Sequence, residues 1–294
     1  MLTVILLAFM ILTYTAQSFF CRLYSNRYPG EPSDSSAVFS VTSGIVVALL
    51  AFCVSGFSLS FSTETVSLGV LNGITLILYN EVMIRASSKG PYSVQMVFML
   101  SGGILIPAFV NLARGTEDLS PLQWVAIALI ILSIALVSQK KEEARVSDKR
   151  FFLYSAGLFL FNGIYGTLLN LQQDVSGVEE KEEMVFVTFT VTALFSALLG
   201  LCRRKRAFFS AFRQTKMSLL CLFVSALATA FAVNLLVLLI ERMEDTTVLY
   251  TFDNSGVLLI SVIGSWLVFK EKLSRTNVIG CVLTAIGLVM ISIF

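Results

Sequence analysis

The chain has 294 residues, of which 56% are apolar and 14% charged, with a net charge of +2 and no histidine. Soluble domains carry about 25% charged residues, so this composition excludes an ordinary soluble domain. The missing histidine removes the commonest metal ligand and general base, and the five cysteines (Cys21, Cys53, Cys202, Cys221, Cys281) form no Cys-x-x-Cys pair that would suggest a zinc site or disulfide framework.

A helix that crosses the roughly 30 Å hydrocarbon core needs about 20 apolar residues. Ten segments reach or approach that length: 2–21, 36–57, 65–86, 91–113, 121–138, 151–171, 184–202, 217–240, 246–268 and 275–294. The first has no basic residue ahead of its apolar run and no small-residue cleavage site, so it is expected to be a retained span rather than a signal peptide. The connections are short. The longest are 22–35, which turns at Tyr28-Pro29-Gly30-Glu31-Pro32, the charged linker 139–150, the acidic loop 172–183 and the basic loop 203–216. Lipid offers the backbone no partner, and no alternating ten-residue pattern of a barrel is present. The expected fold class is therefore an all-α membrane protein with ten transmembrane helices.

Eighteen of the 21 Lys and Arg residues fall on the loops that follow odd-numbered spans; only Arg114, Lys181 and Arg242 fall on the other face. The positive-inside rule then puts the odd loops in the cytoplasm and both termini outside. The segment Arg203–Arg213 is basic and aromatic. Beside a membrane it reads as a topology anchor on anionic lipid, not as a nucleic-acid site.

The chain also repeats. Residues 93–138 align without a gap on 247–292, pairing Ser101 with Ser255, Gly102 with Gly256, Glu117 with Glu271 and Ser120 with Ser274, an offset of 154 residues that also pairs Asn80 with Asn234. Dividing the chain at the linker gives two five-helix halves, residues 1–138 and 151–294. Five is odd, so the second half enters the membrane from the opposite side. Two related halves of opposite orientation are an inverted repeat, a recurrent plan of secondary transporters.

Glu271-Lys272-Leu273-Ser274, followed by Val278-Ile279-Gly280, Leu283, Gly287-Leu288 and Ile291, resembles the closing motif of the EamA-like family of drug/metabolite transporters. Residues 117–137 match that motif more loosely. The five-plus-five layout is similar to that family over the whole chain. The resemblance implies transport of a metabolite or drug, with export favoured. This chain lacks the proline that many relatives carry in the ninth helix. Its charge count also puts the termini outside, the reverse of well-known relatives.

Polar side chains within spans are costly and so are candidates for function. Two acids fall there, Glu81 and Asp253. Glu81 precedes Arg85 by one helical turn, and an interfacial ion pair is the structural alternative. Asp253 lies in the polar run Tyr250–Gly256 with no basic residue within ten positions. Both acids are candidate ion-coupling groups, with a proton as the possible coupling ion. Asn80 and Asn234 are expected to straddle the midplane around the repeat axis. Asn254, Tyr165, Tyr250, Asn162, Gln17 and Tyr14 complete the candidate substrate-binding set, with interhelical packing as the alternative for each. With no Lys or Arg mid-span, an anionic substrate is disfavoured.

No Walker loop, G-x-S-x-G or His-Glu-x-x-His sequence is present, so neither ATP hydrolysis nor catalysis is expected, and no cofactor or metal. The expected partners are the lipid bilayer of the plasma (inner) membrane and a small-molecule substrate moved by alternating access. Uptake or exchange of a metabolite, and a non-transporting sensor or scaffold, are the alternatives. The charge count sets a direct test. With the native cysteines removed, Ser147→Cys is expected to resist a membrane-impermeant thiol reagent applied to intact cells, while Gly177→Cys reacts. The opposite labelling would invert the topology.

Overall fold

The computed structural model describes residues 2–115, 119–138, 149–176, 180–242, 246–271 and 273–293. Ten α-helices fill them: α1 (Leu2–Arg27), α2 (Pro32–Val54), α3 (Thr63–Ser87), α4 (Tyr92–Arg114), α5 (Pro121–Val137), α6 (Lys149–Ser176), α7 (Lys181–Arg204), α8 (Lys216–Arg242), α9 (Thr246–Leu267) and α10 (Arg275–Ile293). Seven of them, α1–α4 and α6–α8, contain stretches long and apolar enough to cross a membrane, and α5, α9 and α10 contribute shorter apolar stretches. Large apolar side chains such as Leu49, Leu71, Ile131, Leu194, Leu227 and Trp266 stand exposed on the outside of the bundle. Water would penalise so apolar an exterior, whereas lipid accommodates it, and the architecture is that of a multi-pass membrane protein.

The helix ends follow local sequence. Pro32 starts α2 where a missing N–H costs nothing. Ser62 caps α3 by accepting from the Thr65 amide at 3.2 Å. Ser120 and Gln123 form a reciprocal capping box that fixes the start of α5. Gly115 closes α4 in the left-handed region, at φ +67°. Several helices outrun the expected spans. α1 continues to Arg27 and α6 to Ser176, because hydropathy marks where the chain lies in lipid, not where its helix stops. The basic segment holds a 3-10 helix, Lys205–Phe212, with Phe208 buried against Gly200 of α7 and Phe209 exposed. Arg204 beside it bridges Glu31 and Asp34 at the start of α2. Glu117, residues 139–148 of the linker, Lys272 and residues 177–179 of the acidic loop lie outside the described residues.

Contacts between named residues fix how the helices run. On α2 and α7, Gly44 meets Phe189 and Ala193 while Phe52 meets Phe186, so these helices are antiparallel. On α3 and α7, Gly69 meets Val187 and Gly73 meets Val191, so those run parallel. By the same reasoning α4 runs parallel to α6, and α1 parallel to α9. α1 is antiparallel to α8, α3 to α6, α4 to α9 and α5 to α10. Through their contacts α1, α8, α2, α7, α3, α6, α4 and α9 close a ring, and α5 and α10 pair beside α4 and α9. Gly102 shows how closely they approach. A Cβ there would lie 2.0 Å from the Phe159 carbonyl oxygen, so only glycine lets α4 press against the α6 backbone.

Candidate functional site

The central helices enclose a cavity of about 130 Å³, measured as the space open to the centre of a water molecule. It draws Tyr14, Gln17 and Ser18 from α1, Leu76 and Tyr79 from α3, and Met99, Leu100 and Gly103 from α4. Asn162 and Tyr165 of α6, Thr229 of α8, and Tyr250, Asp253 and Asn254 of α9 join them. Seven residues singled out from sequence thus meet here: Tyr14, Gln17, Asn162, Tyr165, Tyr250, Asp253 and Asn254.

Asp253 is 8% exposed, and its Oδ1 is buried without a hydrogen-bond partner among the described residues. The described lining includes no Lys or Arg to offset it. The Tyr14 hydroxyl lies within electrostatic reach of Asp253. The two asparagines are held by their amides: Asn162 Nδ2 donates to the Met99 carbonyl at 2.8 Å, and Asn254 Nδ2 to the Tyr250 carbonyl at 2.7 Å. Pro107, one turn beyond Gly103 in α4, has no N–H to give the Gly103 carbonyl.

Asn80, Asn234 and Glu81 are placed elsewhere. Asn80 is buried and donates to Ser40 Oγ of α2 at 3.0 Å. Asn234 donates to the Ala230 carbonyl of its own helix at 2.8 Å. Neither is among the residues lining the cavity. Glu81 pairs with Arg85 and accepts from Ser36, beside a separate cleft of about 100 Å³ between α2, α3 and α7.

Sequence reasoning missed a second arrangement. Arg22, assigned to a loop, sits within α1 and is 8% exposed. Its Nη2 lies 2.7 Å from Glu271 Oε1, and its Nη1 donates to the Gly90 carbonyl at 3.1 Å. Glu271 also accepts from the Tyr92 amide at 2.8 Å and from Ser265 Oγ at 2.5 Å. The Phe269 ring faces the guanidinium at 4.7 Å and Tyr92 at 5.6 Å, and Phe19 stacks on Phe269 with centroids 4.8 Å apart. Tyr92 Oη then reaches Ser18 Oγ at 2.5 Å and Ser261 Oγ at 3.3 Å, and Ser18 lines the cavity. Ion pair, aromatic layer and hydroxyl layer together form a latch across one end of the cavity. The apolar residues on both sides of Arg22 (Cys21, Leu23, Tyr24) are the signal that would have kept it inside the helix.

At the opposite end the described ion pair is more exposed. Arg114 pairs with Asp174 at 2.8 Å, both well exposed, and Tyr250 Oη reaches Asn170 Oδ1 at 3.5 Å. Glu180, just ahead of α7, accepts from the Ser62 hydroxyl and amide, which holds its carboxyl below its ordinary range.

Residues 147–293 match the family model described as the EamA-like transporter family. Among solved structures the chain is similar to one titled only "Crystal structure of protein", with a TM-score of 0.58, 14% identity and 96% of each chain covered, a likeness of fold alone. No curated protein matches the chain.

The latch has a measurable cost of disruption. Glu271→Gln leaves the Arg22 charge buried without its partner, and breaking one side of such a pair costs about 3 kcal/mol. Denaturation in detergent is expected to show that loss, with part of it recovered when Arg22→Met and Glu271→Leu are combined. Wild-type stability in Glu271→Gln would mean the pair carries no such burden.

Proposed function

The chain belongs to the EamA-like transporter family, and from that premise we propose that it is a secondary transporter. In this reading it moves a small organic molecule across the plasma (inner) membrane by alternating access, in the export direction that the family resemblance favours. The observation that carries the proposal is the central cavity, built on an uncompensated buried carboxylate, Asp253, and shut at one end by the Arg22–Glu271 latch.

The two-halves plan supports a rocking mechanism. Exchange each helix for the one five places on, and the main packing pairs map onto each other: α1 with α8 becomes α6 with α3, and α2 with α8 becomes α7 with α3. The α5/α10 contact repeats at the level of residue pairs. A Cβ on Gly287 would lie 3.1 Å from the Ala126 carbonyl oxygen, and one on Gly280 would lie 3.1 Å from the Ser133 carbonyl oxygen. At the 154-residue offset Ala126 corresponds to Gly280 and Ser133 to Gly287, so the pair Ala126/Gly287 maps onto the pair Gly280/Ser133. A self-complementary contact between antiparallel helices is what an axis in the membrane plane would produce. Residues 1–138 and 151–294 are then the two inverted units.

With the charge-derived orientation, the latch is the cytoplasmic gate and the Arg114–Asp174 end faces outward. The gate opens by separating the end of α1 from the α9–α10 connection, and the outer end closes as one half tilts against the other. Within the cavity Asp253 is the counter-charge for the substrate or the site of a coupling proton. Neither role requires a catalytic group.

Reconstituted in proteoliposomes, Asp253→Asn is expected to abolish coupled flux or its dependence on a pH gradient while expression and folding stay intact. Unchanged rate and pH profile in that variant would return Asp253 to a structural role.

A further inference from the structure

We propose that the cavity selects a protonated amine with N–H donors on an apolar body, and discriminates against carboxylates and amino-acid zwitterions. The inference rests on the transporter reading for the movement of the ligand, but not for its binding.

Three observations converge. The first is charge. Asp253 is the one acid among the described lining residues, which include no basic side chain, and its Oδ1 is buried without a partner. A carboxylate held in that state favours a cation. A bound carboxylate or phosphate, or the carboxylate of a zwitterion, would find no counter-charge among the described lining residues.

The second is hydrogen-bond direction. A backbone carbonyl can only accept, so the bonds to the Met99 and Tyr250 carbonyls establish which way the Asn162 and Asn254 amides point. Each spends an N–H on the backbone and turns its carbonyl oxygen free. Asn254 Oδ1 sits over Gly103, whose own carbonyl lost its helical donor at Pro107. Acceptors that share one cavity with a carboxylate call for a ligand that donates several N–H bonds, which an ammonium does and a quaternary nitrogen cannot.

The third is the remaining wall. Tyr14, Tyr79, Tyr165 and Tyr250 contribute four aromatic rings, whose faces attract a cation. Tyr79 Oη is occupied by Met99 Sδ at 2.9 Å, so that residue offers the site a ring rather than a hydroxyl. Leu76, Leu100, Phe189, Val233 and Leu236 provide apolar surface for the rest of the ligand.

The test uses the purified full chain in detergent with five probes: 2-phenylethylammonium, its N,N,N-trimethyl analogue, 2-phenylethanol, phenylalanine and phenylacetate. The ammonium is expected to bind and raise the melting temperature. The trimethyl analogue is expected to bind about tenfold more weakly, and 2-phenylethanol, phenylalanine and phenylacetate to leave the melting temperature unchanged. Asp253→Asn is expected to lose about ten- to hundredfold in ammonium affinity, and Asp253→Glu to retain more than Asp253→Asn. The ranking on the wild-type chain stands whether or not a variant folds. No ammonium binding, equal binding of phenylacetate or phenylalanine, or full affinity in a folded Asp253→Asn overturns the inference. Flux in proteoliposomes separates it from the transport reading: movement of phenylacetate but not of the ammonium sinks the amine class alone. Specific ammonium binding with no flux of any probe upholds the amine class and removes the transporter reading.

Discussion

A charge inside a bilayer must be met by another group, and the helices of this chain are arranged around where that is done and where it is left undone. Glu271 between α9 and α10, Glu81 in α3 and Asp253 in α9 are treated differently. Glu271 is met by a guanidinium, an amide and a hydroxyl. Glu81 is met by Arg85 and Ser36. Asp253 faces a cavity with one oxygen buried and unpartnered. The first two hold helices together. The third is costly unless something arrives to meet it, and that cost is the basis of the selectivity proposed for the cavity.

The two ends of the cavity differ in the same currency. At the Arg22 end a charge pair about a tenth exposed is stacked under two aromatic rings and tied to the cavity floor through Tyr92. At the far end the bridging pair is 38% and 52% exposed, where water screens it and its contribution is small. Among the described residues, the ion pair at the Arg22 end is the more buried of the two. A gate built on a buried ion pair suits alternation, because opening it hydrates two charges at once and offsets part of the attraction lost.

Much of the cavity was legible because polar residues in apolar spans are few, and seven of the candidates gathered around one space. The repeat was less useful for Asn80 and Asn234. Equivalence at a fixed offset says that two residues hold the same place in each half, but not which helix face they present. Asn80 turned toward Ser40 of α2, and Asn234 toward its own helix. The latch was hidden for another reason. Its partners are 249 residues apart, and hydropathy places Arg22 at the edge of a span, where a lone basic residue reads as a loop. The closing motif contains Glu271, and the repeat pairs it with Glu117, without saying what it touches. Similarly, the basic aromatic run at 203–213 carries the composition of a lipid-surface segment, yet Phe208 finds a slot at Gly200 that composition does not reveal.

The central claim is that opening at the latch and closing at the far end are one motion. Paired spin labels in liposomes measure it directly, on a chain without native cysteines. One pair, Asn26→Cys with Arg275→Cys, spans the latch; the other, Ala113→Cys with Arg242→Cys, spans the opposite end. All four positions are exposed. The account predicts that adding Glu271→Gln lengthens the first distance and shortens the second. A latch distance that lengthens while the far end stays fixed, or two distributions that do not respond at all, would contradict it.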